Sequence, residues 1–169
     1  MYSHRSHNGF TLLEAMLYIA LSGTILVAAS GVLILMLKTK GRQDAIINVT
    51  DEARFLQRTL IQHVQQSRGA TFPNVGDVSS SMTLLFDDSD VDPENIFLDD
   101  HVLWIQQAGQ PRVPLTSAFV SVSEFSVSRI SSSSIVDHFY FSLTLTSEQM
   151  PYDLFIYTDS IDFTAAQRK

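Results

Sequence analysis

The feature that most constrains this chain is a long apolar segment close to its start. Residues 15–37 are 23 positions without a charged side chain. A helix of this length crosses the roughly 30 Å hydrocarbon core of a bilayer. Glu14 directly precedes the segment, and a carboxylate at the membrane centre costs about 2.5–3.5 kcal/mol on insertion scales. The segment therefore predicts a membrane-spanning helix with an acid at its edge that is kept for a partner.

A short sequence motif lies immediately before this segment. The hexapeptide Gly-Phe-Thr-Leu-Leu-Glu, residues 9–14, follows a short polar leader, residues 1–9. With the apolar helix behind it, this stretch resembles the class III signal of type IV pilins and pseudopilins. The resemblance implies that a prepilin peptidase cleaves after Gly9 and that Phe10 becomes the N-methylated first residue. It also implies that Glu14 meets the N-terminal amine of a neighbouring subunit during assembly.

The physical chemistry agrees with this role for Glu14. Removal of the leader creates a positive amine at the membrane edge, and a carboxylate on an adjacent helix neutralises it. Two charges that are costly in lipid thereby become one pair. The alternative is an uncleaved signal anchor with an isolated acid. A secretory signal fits less well, because its small-residue cleavage site should follow the apolar core, whereas Ala28, Ala29 and Ser30 lie within it.

The charges that flank the segment conflict with the resemblance. Arg5 precedes the segment, and Lys38, Lys40 and Arg42 follow it. The positive-inside rule alone would place the remainder of the chain in the cytoplasm. The family places the leader there and the head outside. We follow the resemblance, because a processing motif is more specific than a bias of a few charges.

Charge separates the anchor from the rest of the chain. Through Phe72 there are seven Lys or Arg and four acids, a net charge of +3; from Pro73 onward there are four and fourteen, a net charge of −10, in agreement with the total of −7. An acidic head argues against a nucleic-acid surface, which needs a basic footprint. The chain has no cysteine, so the head must fold without a disulfide.

Helical periodicity continues beyond the membrane segment. One stripe recurs at spacings of three and four residues and contains Ile46, Val49, Ala53, Leu56, Leu60 and Val64. Arg68-Gly69 followed by Pro73 is a stop signal. We predict one helix from about Thr11 to about Arg68, whose outer part packs on a sheet. A coiled-coil dimer is the alternative.

After Pro73 the spacing of apolar residues changes from three or four residues to two, the spacing that is typical of β-strands. The clearest predicted strand alternates Phe139, Phe141, Leu143 and Leu145 with polar residues. Further strands are predicted at residues 82–86, 102–106, 120–127, 154–156 and 161–163. The alternation changes parity near Glu124, which predicts a bulge. The predicted fold class is α+β and pilin-like, with a long N-terminal helix packed on an antiparallel β-sheet head.

The order of these elements carries a second, looser resemblance. Leu103-Trp104-Ile105 is followed by the segment Pro-Leu-Thr-Ser at residues 114–117, which leads into two strand pieces at residues 120–127. This order is similar to that of J-type minor pseudopilins and W-type minor pilins. It implies a subunit at the tip or at the initiation of a filament. We interpret Trp104 as a core residue.

An acidic loop at residues 87–95 is a candidate cation site. Asp88, Asp90 and Asp92 have the one-three-five spacing of calcium loops, and Asp99 falls at the twelfth position. However, Pro93 replaces the glycine of the sharp turn, and Asp99 is one methylene shorter than the usual glutamate. The expectation is a solvated acidic loop and no cofactor, with calcium as the weaker alternative.

No other pattern indicates chemistry. The histidines have no ligand spacing, there is no Gly-x-Ser-x-Gly element, and no glycine-rich phosphate loop is present. We therefore expect a non-enzymatic protein.

Together these features predict a minor pilin or pseudopilin of a type IV pilus-like or type II secretion-like filament. Four segments are expected: a leader (1–9), a transmembrane and assembly helix (10–37), its amphipathic continuation (38–70) and a β-rich head (71–169). The expected partners are prepilin peptidase, other pilin or pseudopilin subunits, an inner-membrane assembly platform and the lipid bilayer. The expected location is the inner membrane, single-pass with the head outside the cytoplasm, and then the filament. The alternative is a tip adhesin or DNA-uptake minor pilin whose head binds a ligand.

The first prediction concerns Gly9. Because the peptidase reads a glycine in a narrow site, Gly9→Leu should leave uncleaved protein in the membrane. N-terminal sequencing of the assembled wild-type protein should begin at Phe10. A first residue elsewhere, for example after Ala29, would contradict the processing interpretation.

Overall fold

The computed structural model describes residues 11–88, 92–133, 136–148 and 156–167. These ranges contain, in chain order, α1 (Leu12–Gln66), β1 (Gly69–Phe72), β2 (Val78–Ser79), β3 (Ser81–Leu85), β4 (Glu94–Asp99), β5 (Val102–Gln107), β6 (Val113–Pro114), β7 (Val120–Ser133), β8 (Val136–Ser147) and β9 (Thr158–Ala166). The chain divides into two compact units, Met1–Gly41 and Arg42–Lys169. The first contains the apolar part of α1, and the second contains the rest of α1 with the strands. The four-segment division at residues 37 and 70 stays a prediction.

In the second unit, one stripe of α1 is buried. Its members are Ala45, Val49, Ala53, Leu56, Leu60 and Val64. The predicted periodicity is confirmed, except that Ala45 takes the buried position expected for Ile46, which is partly exposed. From Val49 to Val64 the stripe belongs to the same hydrophobic core as the strands, which accounts for its burial without a second chain. The helix ends at Gln66, two residues before the predicted end.

The first sheet has five antiparallel strands in the order β1-β3-β4-β5-β6. Strands β3 and β5 agree with the prediction to within a residue or two. Strand β4 was not predicted: its apolar run is only three residues long and lies between acids. Six residue pairs join β4 to β5, so the pairing partner, and not the strand's own pattern, specifies this element.

The second sheet has four antiparallel strands in the order β2-β7-β8-β9. The four apolar residues predicted to face inward from β8 are all fully buried. The register of β7 against β8 shifts between Val122 and Glu124, which confirms the predicted bulge. The last predicted strand is longer than expected and forms β9. Of the predicted strand at residues 154–156, Ile156 lies outside any strand, and the other two residues lie outside the described part of the chain.

The second unit therefore has an α+β architecture, a helix packed against two antiparallel sheets, as the fold class predicted. Phenylalanines occupy the centre of its core. The ring of Phe141 stacks on Phe125 and on Phe163, with centroid separations of 6.4 and 5.1 Å. Offset aromatic pairs of this kind add about 0.5–1.5 kcal/mol beyond the area that they bury.

Three polar contacts connect different elements of the second unit, and two of them join elements that are distant in sequence. Arg129 on β7 pairs with Asp137 on β8, and its Nη1 donates to the carbonyl of Ala70 on β1 (2.8 Å). The amide of Gln167 donates to the carbonyl of Ser67 just beyond α1 (3.0 Å). Because these groups are buried or nearly so, their hydrogen bonds satisfy polar atoms that would otherwise destabilise the fold.

The buried stripe predicts different effects for two adjacent residues. Leu56 is fully buried and Phe55 is 53% exposed. Leu56→Ala should lower the free energy of unfolding by about 2–5 kcal/mol because it leaves a cavity. Phe55→Ala, the matched control, should change it by about 0.5 kcal/mol or less. Urea denaturation in detergent, followed by far-UV circular dichroism, measures both. Equal effects would mean that the stripe does not face the core.

Candidate membrane and assembly segment

The apolar part of α1 is exposed along its length. In the described portion of the first unit, large hydrophobic side chains are 52–81% exposed, from Leu12 at 81% to Leu37 at 62%. By its length and composition, α1 is long and apolar enough to cross a membrane. Residues 15–37 measure about 34 Å at 1.5 Å per residue, which matches the hydrocarbon thickness. This surface needs lipid or protein to cover it.

Hydroxyl groups within this part of α1 bond to the helix itself. The Oγ1 of Thr24 donates to the carbonyl of Leu21, and the Oγ of Ser30 donates to the carbonyl of Leu26, each at 2.8 Å. In hydrocarbon, a hydroxyl without a partner is costly. These two side chains therefore have their donors satisfied within the helix, as a segment in an apolar environment requires.

The start of α1 is capped by Thr11. Its carbonyl accepts from the amide of Ala15 (3.1 Å), the first bond of the helix, and its Oγ1 accepts from the amide of Glu14 (3.3 Å). This is the N-cap arrangement, with Glu14 at the third helical position, where a capping box places an acid. The helix was predicted to begin at about Thr11, but the capping role of this residue was not predicted, although a threonine three residues before a glutamate at the start of an apolar run indicates a cap.

The carboxylate of Glu14 lies in the first turn of α1. The helix dipole favours a negative charge at this end. Glu14 is exposed, and within the described residues no cation forms an ion pair with it. Glu14 therefore lies in the first turn of the helix with its side chain exposed, where a cation from outside the chain can approach it. Gly9 and Phe10, the predicted processing residues, lie outside the described residues.

Of the candidate calcium residues that the structure describes, Asp88 and Asp92 lie close together and Asp99 lies at the other end of β4. The amide of Asp92 donates to the carbonyl of Asp88 (3.0 Å), so these two are close. The carboxylate of Asp92 accepts from the amide of Phe86 (3.0 Å) and from Arg68 (3.2 Å). Asp99 ends β4, which places it about 17 Å from the strand's first residue at 3.3–3.4 Å per residue.

Asp99 has its own partners at that end. Its Oδ2 accepts from Nη1 of Arg112 (2.6 Å), and its carbonyl accepts from Nε1 of Trp104 (3.2 Å). The guanidinium of Arg112 lies 4.2 Å from the centroid of the Trp104 ring. Trp104 is therefore a partly exposed residue in a cation–π contact, and its interpretation as a core residue was wrong; its neighbour Leu103 is buried instead.

No group of three or more His, Cys, Asp or Glu side chains is arranged to hold a metal ion among the residues that the structure describes. Asp90 lies outside those residues. The expectation of a solvated loop without a cofactor therefore stays a prediction, and calcium at Asp88, Asp90, Asp92 and Asp99 stays its weaker alternative.

The outer face of the second sheet is rich in hydroxyl groups. Thr144 on β8 and Ser160 on β9 share a hydrogen bond of 3.1 Å across the strands. On the same face, desolvation and the neighbouring negative charge and hydrogen bond of Asp162 raise the pKa of Tyr140. The Tyr140 phenol is therefore held in its neutral, proton-donating form, as it is in water at neutral pH.

No known protein family, no curated protein and no solved structure matches this chain.

The contrast between the exposed apolar segment and the buried stripe predicts how the chain behaves when it is shortened. The full chain should need detergent to stay in solution. Residues 43–169, which lack the apolar segment, should be soluble and give a mixed helix and sheet spectrum in circular dichroism. Aggregation of this fragment, or an all-helical spectrum, would contradict the assignment of the exposed surface to the first unit.

Proposed function

We propose that this protein is a minor pilin or pseudopilin, a non-enzymatic structural subunit that joins a filament through α1. The observation that carries the proposal is the contrast along one helix. In α1, the first part exposes apolar side chains over a membrane-spanning length, and the last part buries its stripe under two sheets. A long apolar N-terminal helix combined with antiparallel sheets is compatible with a pilin-like fold.

This arrangement suits a subunit that moves from the membrane into a filament. The exposed surface of α1 is covered by lipid while the protein waits in the inner membrane. In a filament, the same surface is covered by the helices of neighbouring subunits. Both environments are apolar, so the transfer loses little of the stabilisation that comes from keeping this surface away from water.

Glu14 supplies the specificity in this proposal. Cleavage after Gly9 by a prepilin peptidase would create an amine at Phe10, and Glu14 of the adjacent subunit would accept it. Two charges in a low-dielectric environment stabilise each other only when they are close. The pair would therefore form at one stagger between subunits and fix their register. The N-cap at Thr11 supports this role, because its hydroxyl binds the backbone amide of Glu14 and so fixes that residue in the first turn of α1.

The partners and location follow from the same proposal. The peptidase and an assembly platform in the inner membrane would process and extract the subunit, with the head outside the cytoplasm. Other pilin or pseudopilin subunits would surround it in the filament. The resemblance of the region after the helix to J-type and W-type minor subunits supports a position at the tip or in initiation.

Two variants distinguish the effect of the Glu14 charge on assembly from the effect of the helix cap formed by Thr11. Glu14→Gln keeps the size of the side chain and removes the charge. Breaking a buried pair costs about 3–5 kcal/mol, so incorporation into sheared filaments should fall about a hundredfold or more, while membrane insertion and cleavage continue. The measurement is the ratio of filament protein to processed membrane protein on immunoblots.

Thr11→Ala is the matched control. It removes the cap hydroxyl but keeps the carboxylate, and the loss of an N-cap costs about 1 kcal/mol. Its incorporation should therefore fall less than about tenfold. If Glu14→Gln enters filaments as well as the wild type, assembly of this protein does not require the proposed charge pair. If both variants fail equally, the cap and not the charge is what assembly requires.

A further inference from the structure

The two sheets have four edges, and one of these edges is much longer than the others. Strands β1, β2 and β6 form three of the edges and are four, two and two residues long. The fourth edge is β9, which is nine residues long. An edge strand presents unpaired backbone N–H and C=O groups, and short edge strands limit this exposure. The long edge at β9 therefore needs either protection or a partner.

The hydrogen bonds at the two ends of the β8–β9 ladder show which groups of β9 point to its open side. At one end, the amide of Ser147 donates to the carbonyl of Tyr157 (2.9 Å). At the other end, the amide of Gln167 donates to the carbonyl of Asp137 (3.0 Å). The register between these pairs is continuous, and hydrogen-bonded pairs alternate along an antiparallel ladder. Backbone groups therefore point towards β8 at residues 159, 161, 163 and 165, and away from it at residues 158, 160, 162, 164 and 166.

One acidic side chain protects this edge near its beginning. The carboxylate of Asp159 accepts from the amide of Ser160 (2.9 Å), so this amide is not available to another strand. Charged side chains on an edge strand are a common device against pairing. From Asp162 to Ala166, in contrast, no hydrogen bond within the described chain occupies the outward N–H and C=O groups. This second part of the edge is open to an additional strand.

The side chains along the open part of the edge alternate between two environments. Phe163 and Ala165 face the core and are 8% and 3% exposed. Asp162 and Thr164 are exposed and lie on the outer face of the sheet. Residues that are directly opposite each other on neighbouring strands share one face. An added strand would therefore place apolar side chains beside Phe163 and Ala165 and polar side chains on the outer face.

The charge of the edge selects which polar side chains fit. Strands β8 and β9 contain three acids and no lysine or arginine. Asp137 is paired with Arg129, whereas Asp159 and Asp162 form no ion pair among the described residues. A basic residue opposite Asp162 would gain a cross-strand pair, and an acid there would be repelled. Two copies of β9 would bring their own acids into one short ladder, which disfavours pairing of this chain with itself.

We propose that the open edge of β9, from Asp162 to Ala166, binds an extended segment of a partner protein as an additional antiparallel strand. In this segment, apolar residues that cover Phe163 and Ala165 alternate with lysine or arginine, and one of the basic residues lies opposite Asp162. Backbone hydrogen bonds supply the affinity of such strand addition, and the alternating side chains supply its specificity. The site is independent of the filament proposal, because no residue of the apolar part of α1 belongs to it.

The first measurement is amide hydrogen exchange of the full chain in nonionic detergent micelles, followed by NMR. In the free protein, the amides of Asp162, Thr164 and Ala166 should exchange rapidly. Those of Phe163 and Ala165, which bond to β8, should exchange at least about tenfold more slowly. Equal protection of both sets would mean that the edge is already covered, and the proposal would be wrong. Protection that rises with protein concentration would mean that a second copy occupies the edge, which also overturns the proposal.

The second measurement uses acetylated and amidated peptides that represent the partner. The basic peptide Thr-Val-Lys-Val-Lys-Val-Thr should slow exchange of the three outward amides and shift their resonances in a saturable way. The same peptide with glutamate in place of lysine should bind at least about fivefold more weakly. A third peptide carries a methyl group on the backbone nitrogen of each lysine. It keeps the charges but lacks the donors that face β9, and it should not bind measurably.

Three variants locate the site on the protein. Thr164→Pro removes an outward N–H group from the open part without removing a bond to β8, and it should abolish binding of the basic peptide. Thr158→Pro, the matched control, makes the same change at the start of β9 and should bind like the wild type. Asp162→Asn should weaken binding about two- to fivefold.

The proposal is wrong if the glutamate peptide or the methylated peptide binds as tightly as the basic peptide. It is also wrong if Thr164→Pro and Thr158→Pro behave alike, or if Asp162→Asn binds the basic peptide like the wild type. Should Thr164→Pro fail to fold, the exchange pattern of the wild type and the ranking of the three peptides still decide the question.

Discussion

The folded unit of this protein depends on the burial of one helical stripe under two sheets. The stripe of α1 supplies six of the residues that are almost inaccessible to water, and the core that it enters contains residues from both sheets. Without a disulfide, this apolar contact is the main source of stability. The polar contacts of Arg129 and Gln167 add to it by satisfying groups at the places where strands and helix meet.

The same helix carries two different surfaces because its sequence changes where the chain leaves the apolar segment. Up to Leu37, hydrophobic residues occur all round the helix, as in a segment that is surrounded by lipid or by other helices. From Ala45 onward one stripe of apolar residues is buried, as in a helix that packs on its own domain, and only scattered apolar residues such as Ile47 and Phe55 are exposed. A single secondary-structure element therefore belongs to two environments, and the change in hydrophobic pattern marks the boundary between them.

Much of this organisation could be predicted from sequence, because the spacing of apolar residues along a helix or strand directly determines which of its faces is buried. The 3.6-residue stripe of α1, the alternation of β8 and the parity change at Glu124 each correspond to a feature of the structure. Strands β1, β2 and β6 could not be predicted, because they are two to four residues long and neighbouring strands determine them. The contact between His63 on α1 and Glu94 on β4, whose Nδ1 and Oε1 atoms lie 2.6 Å apart, could not be predicted either. It joins a helix to a strand and therefore leaves no local pattern in the sequence. The cap at Thr11 was readable but was missed.

The packing of Arg112 on Trp104 has a practical consequence for work on this protein. Trp104 is the chain's single tryptophan, and it lies on β5 opposite Pro114 of β6. Arg112 approaches its face from the segment that precedes β6. Indole emission depends on the charges and the polarity around the ring, so any movement of β6 away from β5 changes the fluorescence of the protein. The molecule thus carries a built-in optical probe of its β5–β6 hairpin, at a position where no label needs to be introduced.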